Sequence, residues 1–159
     1  QTRVGAGPMP TELLGELGET LRGSGAQPWD EFGTTTGRPR RCGWLDIVTL
    51  RHAVRVNGLT EMAITKLDIL SRLDTLQLCV AYELDGQRIE AFPTDLTVLA
   101  RCRPVYETLS GWGTDITTAR TTGELPQQAR DYVTRIEELV GIPSSCISVG
   151  PGREQTVRQ

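Results

Sequence analysis

A helix pattern with both ends marked, followed at once by a strand pattern and a glycine-rich loop, constrains this chain more than any other stretch. Pro126 sits where a first helical turn tolerates proline, Ala129, Tyr132, Val133, Ile136 and Leu139 recur at helical spacing, and Gly141 and Pro143 stop the pattern. A stripe of that kind has to be buried, so these residues are read as core and given no chemical role. Cys146 to Gly152 then reads as a short strand ending in a tight loop, a place where backbone donors often lie beside a ligand.

Upstream, the pattern alternates between helix and strand. Leucines 13, 14, 17 and 21 predict a short helix over 11–22, weakened by Gly15 and Gly18. Asp46 is expected to cap or open a second helix running to about Val56, with Leu45, Val48, Ala53 and Val56 on one face and Asn57-Gly58 as its stop. Residues 61–65 read as a short buried strand and 76–84 as another. Asp85-Gly86 is a two-residue hairpin turn leading into 87–92. Residues 95–102 are expected to make a helical turn or two and 104–109 to be extended, before a break at Gly111-Trp112-Gly113. The fold class expected is therefore mixed α/β, a mixed sheet with a hairpin and flanking helices.

With 159 residues the chain is expected to form one domain, 1–159, burying roughly two thirds of its unfolded surface. Its net charge of -3 gives no global attraction to nucleic acid or to an anionic membrane, and Trp29, Trp44 and Trp112 are too scattered to make a stacking platform. Cys42, Cys79, Cys102 and Cys146 are widely spaced with only His52 to supplement them, so no metal ligands are assigned. No signal-peptide pattern or membrane-length apolar run is present, and the expectation is a cytoplasmic chain with free thiols. The chain starts at Gln1 and enters a Gly/Pro-rich segment, Arg3 to Pro10, that reads as the middle of something longer.

Against that acidic background, Gly33 to Trp44 holds three threonines, three arginines and three glycines in a dozen residues. Glycines let the backbone turn and approach a ligand, threonines add short donors, and arginine forks match carboxylate or phosphate oxygens. This is the composition of an anion-binding loop, although arginines in loops are also ordinary solvated surface.

A second candidate is Thr65-Lys66-Leu67-Asp68 at the end of a predicted strand. An ionised aspartate there accepts from the N1–H and exocyclic amino group of guanine together, donors adenine does not present, while a lysine stem lies across the ring. A Lys-x-Asp triplet is expected by chance about 0.4 times in a chain this size, so its context has to decide. The bland alternative is a solvated Lys66 and an Asp68 that caps the next turn. No phosphate loop of the Gly-x-x-x-x-Gly-Lys-Ser/Thr type and no nucleophile elbow occurs, and His52 has no triad partner legible in the sequence.

In order along the chain, Arg3-Val4-Gly5-Ala6-Gly7-Pro8, Gly33-Thr34-Thr35-Thr36-Gly37-Arg38, Arg41-Cys42-Gly43-Trp44-Leu45-Asp46, Thr65 to Asp68, Pro104-Val105-Tyr106-Glu107 and Ser148-Val149-Gly150-Pro151 resemble the C-terminal part of adenylosuccinate synthetases. The resemblance implies a GTP-dependent ligase that joins L-aspartate to IMP through a 6-phosphoryl intermediate, with magnesium, in AMP biosynthesis. It also implies a homodimer and no nucleic-acid or membrane partner. It assigns Thr34, Thr35, Thr36, Gly37, Arg38 and Arg40 to the loop that takes aspartate, with Arg38 near IMP and Arg40 near GTP. Lys66, Leu67 and Asp68, with Ser148, Val149 and Gly150, become the GTP-base residues. Pro39 departs from the family pattern, where another basic residue is expected, and is expected either to stiffen the loop or to alter its closing motion. The family's phosphate loop, magnesium site, catalytic aspartate and catalytic histidine lie outside the matched part, so the isolated chain is expected to be inactive. The alternative is a non-catalytic guanine-nucleotide binding module.

Overall fold

The computed structural model describes residues 1–158. Along the chain run β1 (Thr2–Arg3), α1 (Glu16–Arg22), β2 (Arg41–Cys42), β3 (Leu45–Asp46), α2 (Ile47–Asn57), β4 (Met62–Ile64), β5 (Thr75–Leu84), β6 (Gln87–Ile89), α3 (Leu96–Leu99), β7 (Arg103–Ser110), α4 (Gln127–Val140), β8 (Ser144–Ser148) and β9 (Thr156–Arg158). Parallel and antiparallel pairings both occur, so the chain is mixed α/β as the sequence implies. It resolves into two compact units, one made of Gln1–Val48 with Gln77–Glu107, the other of Thr49–Leu76 with the residues from Thr108 onward.

In the first unit β5 is the organising strand. It pairs with β3 in parallel, with β6 in antiparallel and with β7. The β5–β6 connection is Asp85-Gly86, with φ of 52° and 79°, the two left-handed residues that match a hairpin turn to strand twist. Val48, Cys79, Tyr82, Leu99 and Cys102 form a buried cluster, with Leu84, Ile89, Phe92 and Tyr106 packed against it. Asp95 caps α3, its carboxylate accepting from Thr97 N at 2.7 Å.

The second unit carries the three-stranded sheet β4-β8-β9, with β4 parallel and β9 antiparallel to β8. Helix α4 begins right after Pro126 and ends on Gly141 at φ 85°, a left-handed cap that glycine adopts without a Cβ penalty and whose N–H satisfies Glu137 O. Ala129, Tyr132, Val133, Ile136 and Val140 are its buried face. Trp112 packs on Tyr132 with ring centroids 6.1 Å apart.

Several expectations are corrected. The first helix is shorter than 11–22 and starts at Glu16. Gly15 stands at φ 72°, and Glu12 bridges Gly43 instead, with Leu13 N donating to Cys42 O at 2.9 Å. Leu14 is 82% exposed and joins no apolar face. Asp46 stands directly before Ile47 and opens α2, as expected. It is the last residue of β3, and its buried carboxylate accepts from the Tyr82 hydroxyl. Val56 is 65% exposed, because α2 buries only its first turn, Ile47 and Val48. The strand at 62–64 is half-exposed rather than buried, as an edge of its sheet permits. β6 stops at Ile89, and Phe92 packs onto the core cluster from beyond the strand end.

Candidate functional site

The arginine-rich loop belongs to the first unit and is tied at its neck. Phe32 and Pro39 face each other in an antiparallel bridge. Gly33 N donates to Arg38 O at 2.8 Å, Gly37 N to Gly33 O at 2.7 Å, and Arg40 N to Glu31 O at 2.8 Å. Gly37 has φ 63°, a conformation few other residues adopt cheaply. A Cβ on Gly33 would lie 2.7 Å from Thr36 Oγ1, so the turn is as tight as the three threonines allow. Beyond the neck, Thr34, Thr35, Thr36, Gly37 and Arg38 are all exposed.

The three arginines do different things. Arg41 is committed to the fold: its Nε and Nη2 donate to the two oxygens of Glu12 at 2.8 and 2.5 Å, and its Nη1 donates to Gly7 O at 2.6 Å. These bonds from Arg41 hold the Glu12 carboxyl below the usual carboxylate range. Arg40 is half-committed, with Nη1 on Glu31 Oε2 at 2.9 Å and a buried Nε that has no acceptor. Arg38 is exposed, and its guanidinium makes no hydrogen bond or ion pair among the described residues. The loop thus offers one free guanidinium, three hydroxyls and the unused Nε of Arg40.

The second candidate lies wholly in the other unit. Parallel pairing sets Ile64 opposite Ile147, so the strand ends of β4 and β8 point the same way and the residues after them emerge together. Lys66 has φ 61°, rare for a residue with a side chain, and it turns the chain out of β4 into a single 3-10 turn over Asp68–Arg72. Leu67 is buried and anchors that turn, its N–H donating to Ser148 O at 3.1 Å. The sequence-chosen groups Lys66-Leu67-Asp68 and Ser148-Val149-Gly150 are therefore neighbours.

Asp68 is half-buried at the start of that turn. Burial pushes its carboxyl above the usual aspartate range, against the pull of the Asp68 and Ile69 backbone N–H groups and the Lys66 charge, while the Asp115 charge adds to the push. Such a carboxylate gains when a ligand supplies donors for it. Ser148 Oγ donates to Gly150 O at 2.9 Å, and Val149, fully buried, donates its N–H to Gln155 O at 2.9 Å. Trp112 Nε1 donates to Ser71 Oγ at 2.8 Å and steadies the far end of the 3-10 turn. Sequence reasoning missed Gln155 and Trp112 as loop supports, and Glu12 and Glu31 as arginine partners. Glu12, Trp112 and the Thr117 anchor of Gln155 act across separations that no local pattern reports.

Among the described residues no group of three or more His, Cys, Asp or Glu side chains could hold a metal ion, and no helix is long and apolar enough to cross a membrane. The four cysteines are free thiols.

Mixed sheets, with loops leaving the parallel strand ends of β4 and β8, define an α/β chain. The chain belongs to the adenylosuccinate synthetase family, whose model matches residues 1–157. It is 60% identical over 156 residues to the adenylosuccinate synthetase of Myxococcus xanthus and 56% identical over the same length to that of Desulfatibacillum aliphaticivorans. In each case the match takes in 98% of this chain and 35% of the relative, so the chain spans about a third of the length of these proteins. The structure of fully ligated adenylosuccinate synthetase from Plasmodium falciparum matches all of this chain and 38% of that one, with a TM-score of 0.93 and 40% identity.

Proposed function

We propose that this chain supplies guanine recognition and the aspartate-holding loop for a GTP-dependent ligase that joins L-aspartate to IMP, giving adenylosuccinate, GDP and phosphate. The observation that carries this reading is the bond from Leu67 N to Ser148 O, which sets Lys66 and Asp68 beside Ser148-Val149-Gly150. In the reading, Asp68 accepts from guanine N1–H and the exocyclic amino group, and its desolvation makes two well-placed donors more valuable than water. Adenine presents no such pair and would leave the carboxylate unpaired, a mismatch that a polar site rejects strongly. The Lys66 stem lies along the ring, and Ser148 to Gly150 with Pro151 close on the same base.

The exposed loop performs the other task. Thr34 to Gly37 and Arg38 hold the carboxylates of aspartate, with Arg38 also serving IMP, and the buried Nε of Arg40 has a donor left for a nucleotide oxygen. Holding aspartate with its amine aimed at the activated purine carbon converts an encounter into an effectively intramolecular step. The guanidiniums offset negative charge as the bond forms. No residue of this chain is assigned to magnesium. Phosphoryl chemistry is placed in the remaining two thirds of the family's length, and the chain alone makes no adenylosuccinate.

Ligand-observed NMR of the purified chain with GDP, ADP and L-aspartate tests this reading. Saturation transfer to GDP with none to ADP at equal concentration supports it; equal transfer to both nucleotides counts against it.

A further inference from the structure

Gln155 is bonded three times into the loop that precedes it and once to Thr117. Its side-chain oxygen accepts from Gly152 N at 2.8 Å and its side-chain nitrogen donates to Thr117 O at 3.1 Å. Its backbone carbonyl accepts from Val149 N at 2.9 Å and its backbone N–H donates to Gly152 O at 3.0 Å. The partners fix the orientation of the amide, because Thr117 offers an acceptor and Gly152 a donor. Two glycines make room for it: a Cβ on Gly150 would stand 2.4 Å from the Gln155 carboxamide, and one on Gly152 would stand 3.0 Å from its oxygen.

The far anchor is itself built. Asp115 Oδ1 accepts from Thr117 N at 2.9 Å, and Arg120 Nη1 donates to Thr117 O at 3.0 Å, so the carbonyl that receives the Gln155 amide is held from both sides. With its oxygen held by Gly152 and its nitrogen by Thr117, the Gln155 carboxamide is fixed as a support for the loop. We infer that Gln155 is a positioning residue for the Ser148–Gly150 loop, fixing the backbone that closes on guanine through a clamp from Gly152 to Thr117. This rests on the guanine reading given above.

Without the carboxamide, Gly152 N–H loses its partner, Thr117 O keeps only the Arg120 guanidinium, and the space between Gly150 and Gly152 empties. The backbone bonds of Val149 and the β8–β9 pairing remain, so the fold persists while the loop samples arrangements that do not fit the base. A ligand that needs one arrangement then binds more weakly in proportion to the population lost.

The test titrates GDP and ADP separately into the wild-type chain, Gln155→Met, Gln155→Ala and Asp68→Asn, with a thermal melt of each. The inference expects the ratio of GDP to ADP affinity to fall about tenfold in both Gln155 variants while cooperative melting is kept. General loosening of the fold would weaken both nucleotides alike and leave that ratio unchanged. If the wild type does not prefer GDP, the guanine reading fails and takes this inference with it. A wild type that prefers GDP, joined by Gln155 variants that keep the full ratio, overturns the inference alone. Loss of cooperative melting in both variants also overturns it, since Gln155 would then be needed for folding rather than for positioning.

Discussion

The hydroxyl of Tyr82 donates to the Asp46 carboxylate deep in the first unit, where Tyr82 is fully buried and Asp46 nearly so. Asp46 ends β3 and is followed directly by α2, and Tyr82 comes from β5, so the bond fixes where the helix leaves the sheet. A carboxylate kept in the interior has to be given donors, and this one receives a phenol.

Tyr82→Phe keeps the ring and removes that donor. The expected cost is about 1–3 kcal/mol of folding stability, the penalty for weakening the solvation of a buried carboxylate, measured by urea unfolding. An unchanged midpoint would show that other partners of Asp46 suffice.

The two arginines at the ends of the loop separate stability from binding. Arg41→Ala leaves Glu12, whose side chain is only 23% exposed, without its bidentate partner, and is expected to cost about 1–2 kcal/mol. Arg38→Ala, with no contact to lose, is expected to leave stability within about 0.5 kcal/mol while abolishing the response to aspartate. Denaturation midpoints set beside aspartate titrations of the same samples check both halves.

Acid acts in opposite senses on two carboxyls. Glu12 titrates below its ordinary 4.5 when folded, so its pairing with Arg41 contributes stability at neutral pH that is lost as pH falls through that lowered value. Glu12→Gln should remove this part of the acid limb. Asp68 titrates above its ordinary 3.8, so the folded chain takes up this proton more readily than the unfolded one and acid relieves its burial. In the proposed guanine reading, acid also removes the charge that accepts from the base. GDP affinity should therefore weaken on acidification at a pH above the ordinary aspartate value, with ADP affinity flat, in a titration series run between pH 7 and 4.5.

What the sequence made legible was what local spacing controls. The stripe and caps of α4, the Asp85-Gly86 turn and the end of β7 before Gly111 all follow from neighbours within a few residues. Asp46 was placed correctly before its helix, but its bond from Tyr82 was not legible, because that partner comes from another strand. The start of α1 was misread because Leu13 is claimed by Cys42, a partner that periodicity cannot report. The loops were found by residue type, but which arginine was spent on the fold became visible only when Glu12 and Glu31 were in place. Gln155 carried no signal, being one polar residue among several after Gly150.

The guanine reading is tested most directly by calorimetric titration of GDP, IDP and ADP into the wild-type chain and Asp68→Asn. Two donors on one carboxylate predict GDP tightest, IDP weaker for want of the exocyclic amino group, and ADP weakest. Asp68→Asn should lose about 2 kcal/mol toward GDP, about 30-fold, and flatten the order. ADP binding as tightly as GDP, or the same order surviving in Asp68→Asn, would contradict the account.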